Sequence, residues 1–148
     1  MQSVVLDGME VTAMSTAHKI LIVDDDPLFV KTTKTILEAH GYQVDSAGGG
    51  AAGLAKMKEQ KPDLVILDVM MDWVLDGVSL SRDMMKQPDL AGIAILMATS
   101  IRNSEYKGTF PQDEYLHIDR WLDKPCSPEE LLTAVEKTLE RRAQSKNA

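Results

Sequence analysis

A chain of 148 residues and 16.4 kDa suits one domain with a sizeable hydrophobic core. Its formal net charge of −7 and pI near 4.9 argue against a general nucleic-acid-binding surface, because phosphate backbones select positive patches. The lone Cys126 rules out an internal disulfide and has no CxxC or Cys/His companion for zinc.

The opening stretch "MQSVVLDGMEVTAMSTAHK" has no basic start and no long apolar core, and it carries Asp7 and Glu10, so it does not read as a signal peptide. Residues 1–17 are expected to form a flexible extension, with Met14 as a candidate natural start. No apolar run reaches the roughly 18 to 20 residues of a membrane-spanning helix, and a cytoplasmic location with no membrane partner is expected.

The first strong element is "ILIVDDDPLF", in which the apolar run Ile20–Val23 meets Asp24, Asp25 and Asp26. Unbroken apolar runs of this length read as strands covered on both faces, as in a parallel sheet. Asp26 and Pro27 form an N-cap and first helical position, with Leu28, Phe29, Ile36 and Leu37 as the apolar pattern and Gly41 as the stop. "YQVDSA" is a weaker strand, and "GAAGLAKMKEQ" a second helix closed by "KPD". Leu64–Leu67 is the next buried strand, "GVSLSRDMMKQ" a third helix, and Ile93–Met97 another strand.

Gly108 and Pro111 interrupt the stretch from Ile101 to Asp119, so no full helix is expected there. After the short apolar "WL", Ser127 caps a last helix with Pro128 in its first turn and Glu130 completing a capping box. Leu131, Leu132, Val135 and Leu139 form its apolar stripe, and Arg141 and Arg142 suit its C-terminal end. The domain is expected over residues 18–143, with 144–148 as a tail.

Alternating strands and helices give a doubly wound α/β sandwich, whose site lies beyond the C-terminal ends of the strands. Those ends carry Asp24–Asp26, Asp68, Thr99–Ser100 and Asp123–Lys124–Pro125. Converging carboxylates make a hard oxygen site suited to Mg²⁺ or Mn²⁺. A divalent ion there would neutralise an incoming phosphoryl group, a carboxylate could accept it, Lys124 could pair with its oxygens, and the Thr99 hydroxyl could donate to another.

The motifs "ILIVDDDP", "DLVILDVMM", the later Asp76–Gly77, "ILMATS" and "WLDKPCSPEEL", in this order, resemble the receiver domain of two-component response regulators. The likeness implies a flavodoxin-like five-stranded parallel sheet of order 2-1-3-4-5. It implies Asp68 as phosphoacceptor, Asp24, Asp25, Asp68 and the Met70 carbonyl as Mg²⁺ (or Mn²⁺) ligands, and Thr99 and Lys124 on the phosphoryl group. Trp121 takes the switch-aromatic position, and a cis proline follows Lys124. It implies a histidine kinase or histidine phosphotransfer protein as donor and a phosphorylation-dependent protein partner for output. An enzymatic role beyond the domain's own phosphorylation and slow dephosphorylation is not expected.

Two departures from the family pattern stand out. "DVMMDWVLDG" is one residue longer than the usual loop, with Asp72 and Trp73 in it, and the segment between Thr99 and Lys124 is also long. Met70 and Ile101 flank the expected path of attacking water and cannot orient it, which implies a long-lived phosphate unless Asp72 or Asn103 reaches in.

Other readings compete. "GGGAAG", Gly48 to Gly53, fits a dinucleotide-binding GxGxxG, but it leaves Asp24, Asp25, Thr99 and Lys124 unexplained; these glycines are expected instead to let the second helix start tightly beside the site. A haloacid dehalogenase-like phosphatase would use Asp24 as nucleophile and Asp26 as acid. A degenerate receiver would serve as a scaffold. His18, His40 and His117 show no catalytic spacing.

Overall fold

The computed structural model describes residues 5–6, 9–10, 18–68, 76–99 and 119–147; the side chains of residues 5–6, 9–10, 76–79, 81, 99 and 144–147 lie outside that description. Near the N-terminus, β1 (Val5–Leu6) and β2 (Met9–Glu10) pair antiparallel. The main sheet contains β3 (Lys19–Val23), β4 (Gln43–Ala47), β5 (Leu64–Asp68), β6 (Ala94–Thr99) and β7 (Arg120–Asp123). The helices are α1 (Pro27–Ala39), α2 (Gly50–Gln60), α3 (Asp76–Met85) and α4 (Pro128–Asn147).

The sheet order is β4-β3-β5-β6-β7 and every pairing is parallel. Counted from β3, this is the expected 2-1-3-4-5 arrangement. The apolar runs alternate between two cores, as a two-residue side-chain period demands. Leu21, Val23, Val65, Leu67, Ile95 and Met97 face one core with Met57 of α2 and Leu80 and Met84 of α3. Ile20, Ile22, Leu64, Ile66, Leu96 and Ala98 face the other with Leu37 of α1 and Leu131 and Val135 of α4. Burying both faces explains why these strands read as unbroken apolar runs.

The helix ends follow the sequence chemistry. The Asp26 carboxylate accepts hydrogen bonds from the Leu28 and Phe29 amides at 3.0 and 3.3 Å, satisfying two of the orphan donors of the first turn. Gly41 stops α1 at φ +91°, a conformation that favours a residue without Cβ. At α4 the Ser127 amide donates to Glu130 Oε1 at 2.8 Å and the Glu130 amide donates to Ser127 Oγ at 3.1 Å, the reciprocal capping box.

Three local expectations need correction. Leu28, part of the expected apolar pattern of α1, is 71% exposed, and Thr33 is buried on that helix instead. Among the glycines of "GGGAAG", positions 48, 49 and 50 have open space where a Cβ would stand. Gly53 alone of the set is tight, with its Cβ position 2.9 Å from Val23 Cγ2, so the close approach to β3 falls at the fourth residue of α2 and not at Gly48, Gly49 or Gly50. Finally, α4 runs to Asn147, beyond the arginines read as its end. Arg142 donates to the Ala91 and Ile93 carbonyls at 3.0 Å each, and Arg141 to the Asp119 carbonyl at 2.8 Å, so both fasten the helix to neighbouring segments.

Candidate functional site

The parallel register places the C-terminal ends of the strands along one rim. Val23 pairs with Leu67, Asp68 with Ala98, and Thr99 with Asp123, so the residue after β3 lies beside the last residue of β5. Asp24 is buried at 2% exposure, Asp68 at 7%, and Asp25 is exposed. One carboxylate oxygen from each of the three lies within 4.8 Å of the others. That spacing is compatible with a shared divalent cation, since oxygens on opposite sides of an octahedral Mg²⁺ are about 4 Å apart. The donor set is oxygen only, which fits a hard divalent cation.

Lys124 enters from the far edge of the sheet, just past β7 and before a cis peptide bond to Pro125. Its ammonium donates to Asp24 Oδ2 at 2.7 Å and stands 3.7 Å from Asp68 Oδ1. Asp24 Oδ1 accepts from the Asp26 amide at 2.9 Å, so both oxygens of this buried carboxylate are engaged. Three carboxylates and one ammonium leave a formal charge of −2 at the rim, the charge one divalent ion neutralises. The buried pair is tolerable because each partner stands against opposite charge and hydrogen bonds.

The structure therefore brings together Asp24, Asp25, Asp68 and Lys124. Thr99 ends β6 on the same rim, with its hydroxyl outside the description. Met70, Asp72, Trp73, Ile101, Asn103 and His117 lie outside the described residues. Asp26 serves as the helix cap. Trp121 is partly buried and packs on the core formed by Leu21, Val65, Met97 and their neighbours. His40 Nδ1 is 3.0 Å from the Ile36 carbonyl and the His18 ring stacks on Tyr42, both local contacts away from the rim.

Sequence reasoning missed two features. The Phe29 ring lies beside Lys124, with Nζ 4.2 Å from its centroid; its position three residues after the Asp26 cap is the signal that could have placed it. The Cys126 thiol lies half-buried beyond Pro125, and burial followed by the Glu130 carboxylate pushes its pKa up, which keeps it protonated and weakly nucleophilic.

Comparison with known proteins decides the family. The family model described as the response regulator receiver domain matches residues 20–136. The chain belongs to the response regulator receiver family. The alkaline phosphatase synthesis transcriptional regulatory protein PhoP of Bacillus subtilis is 34% identical over 123 residues, covering 83% of this chain and 49% of that protein. Protein PilH of Pseudomonas aeruginosa is 31% identical over 121 residues, covering 82% of this chain and 97% of PilH. A CheY-like receiver from Methanospirillum hungatei superposes with a TM-score of 0.75 at 29% identity, covering 88% of this chain and 99% of that one.

The chain thus spans about half the length of PhoP but nearly all of PilH. The receiver is a signalling domain of two-component systems. Among the described residues, no helix is long and apolar enough to cross a membrane.

Proposed function

We propose that this receiver accepts a phosphoryl group on Asp68 from a phosphohistidine donor, a histidine kinase or histidine phosphotransfer protein, with Mg²⁺ or Mn²⁺ bound by Asp24, Asp25, Asp68 and the Met70 carbonyl. The observation that carries this reading is the Asp24–Asp25–Asp68 oxygen cluster with Lys124 bridging two of its members. The bound ion supplies positive charge beside the acceptor. Lys124 pairs with a phosphoryl oxygen as a point charge, and the Thr99 hydroxyl donates to another. Asp68 Oδ attacks phosphorus, the P–N bond to the donor imidazole breaks, and the histidine leaves neutral after taking up a proton.

Phosphorylation adds charge at the rim, and inward movement of Thr99 with Trp121 following transmits it to a protein interface. Output is a phosphorylation-dependent protein contact without direct binding to nucleic acid or membrane. The functional unit spans residues 18–143, and the site of action is the cytoplasm.

Intact mass after incubation with acetyl phosphate, with and without Mg²⁺, tests the reading on wild type and Asp68→Asn. A metal-dependent gain of one phosphoryl group, absent in the variant, is the expected outcome. No gain from acetyl phosphate or from a phosphohistidine donor overturns it, and a gain that survives Asp68→Asn moves the acceptor to Asp24.

A further inference from the structure

Four contacts around the start of α1 close into a ring. The Asp26 amide donates to Asp24 Oδ1 at 2.9 Å, and the Phe29 amide donates to Asp26 Oδ1 at 3.3 Å. The Phe29 ring centroid lies 4.2 Å from Lys124 Nζ, and Nζ returns to Asp24 Oδ2 at 2.7 Å. The chemistry proposed for the rim uses Asp24 and Lys124 but assigns nothing to Phe29. Yet Phe29 is the link that ties the helix cap to the ammonium.

A lysine ammonium rides on a flexible four-carbon stem, and holding it in one place costs rotamer entropy. The Asp24 and Asp68 carboxylates attract Nζ at 2.7 and 3.7 Å. A groove of about 470 Å³, lined by Phe29, Lys124, Pro125 and Cys126 among others, also opens beside the lysine. An aliphatic side chain there would exclude water but would not attract the charge. The negative face of an aromatic ring does both. The Phe29 ring is itself held, half-buried against the core that contains Leu37, Leu122 and Leu131.

We propose that Phe29 is a positioning residue for Lys124, holding the ammonium over the carboxylate rim and out of the groove. This rests on the reading of Lys124 as the phosphoryl-pairing cation. The ring acts before the reaction, by keeping Nζ where negative charge will arrive, so that no reorganisation is needed at that moment. It makes no contact with the phosphoryl group itself.

The test compares Phe29→Leu and Phe29→Met, which keep apolar bulk without a ring, with Phe29→Tyr, which keeps the ring. Two readouts are taken on the full chain: the NMR shift of the Lys124 ε-methylene protons, and the initial rate of phosphorylation by acetyl phosphate at saturating Mg²⁺. The ring should move the Lys124 signal upfield of the other lysines. Phe29→Leu and Phe29→Met should abolish that displacement and slow phosphorylation about three- to tenfold, while Phe29→Tyr preserves both.

A Lys124 signal at the ordinary lysine position in wild type overturns the proposal. So does a rate unchanged in folded Phe29→Leu and Phe29→Met, or lost equally in Phe29→Tyr. If wild type takes up no phosphoryl group, the receiver chemistry fails, and the ring-current shift alone still decides whether Phe29 holds the ammonium.

Discussion

Lys124 and Asp24 meet at 2.7 Å although 100 residues separate them in the chain, and the Asp24 side chain is fully buried there. Lys124→Met leaves that carboxylate without its cation, which should cost about 3–5 kcal/mol of stability when no divalent ion is present. Urea unfolding in EDTA measures it. Added Mg²⁺ should then stabilise the variant more than wild type, because the ion replaces a missing charge. An equal Mg²⁺ increment in both proteins would show that the metal and Lys124 do not share Asp24.

Asp25 stands in the same cluster but is exposed, so its charge is partly screened. Asp25→Asn removes one of three mutually repelling carboxylates. In EDTA the variant should gain about 0.5 kcal/mol, while its apparent Mg²⁺ affinity falls by about tenfold or more. Paired titrations followed by thermal unfolding separate these effects. A variant that loses stability and keeps its metal affinity would remove Asp25 from the ligand set.

The parts of this fold that depend on local chemistry were legible in the residues. Asp26 and Pro27 announced the start of α1, Gly41 its stop, and Ser127 with Glu130 the start of α4. The rim was legible because parallel strands deliver all their C-terminal ends to one edge, and the polar residues after each apolar run could be read directly.

Contacts that join distant segments left no local trace. Nothing in "VEKTLERRAQ" shows that Arg142 will reach the carbonyls of Ala91 and Ile93. The Asp26 cap fixes where Phe29 stands in the first turn of α1, but the partner of its ring, Lys124, comes from a segment 95 residues away. Gly53 looked like one more glycine in a loop fingerprint, and only the packing of α2 on β3 distinguishes it.

That packing gives a sharp contrast between glycines. A methyl group at position 53 would stand 2.9 and 3.0 Å from the two Cγ atoms of Val23. Val23 is fully buried and β-branched, with little room to turn. Gly53→Ala should therefore destabilise by about 1–3 kcal/mol despite the better helix propensity of alanine. Gly50→Ala, in open space at the first position of α2, should gain up to about 1 kcal/mol. Denaturant midpoints for the two variants decide this. The same gain at both positions would mean that α2 moves freely on β3.

Arg142 makes a structural claim of similar size. Its guanidinium donates to two backbone carbonyls and stands 3.5 Å from the Asp119 carboxylate, which itself accepts from the Ile95 amide at 2.8 Å. Arg142→Met should cost about 1–3 kcal/mol, because the part-buried carbonyls lose a charged donor. Hydrogen exchange gives the local signature, with faster exchange expected at Asp119 and the last turns of α4. Uniform change across the sheet would argue for a global effect instead.

Asp45 supplies a pH dependence away from the rim. Hydrogen bonds from Gln60, Lys56 and the Ser46 amide, the first of these the largest cause, outweigh partial burial and hold its pKa down at about 2. The unfolded chain protonates this carboxyl near 3.9. Its contribution is therefore complete above that value and disappears as pH falls through about 2, because only the folded state resists the proton.

The Asp45 side chain is 41% exposed and its Lys56 partner 35%, so solvent screening should leave roughly 0.5–1 kcal/mol, well below the full value of such a shift. Asp45→Asn keeps a carbonyl for Gln60 but loses the charge. Its deficit against wild type should be constant from pH 7 to about 5 and vanish between about pH 4 and 2. Urea midpoints of both proteins across that range give the test; an offset that persists to pH 2 would assign the loss to packing and not to ionisation.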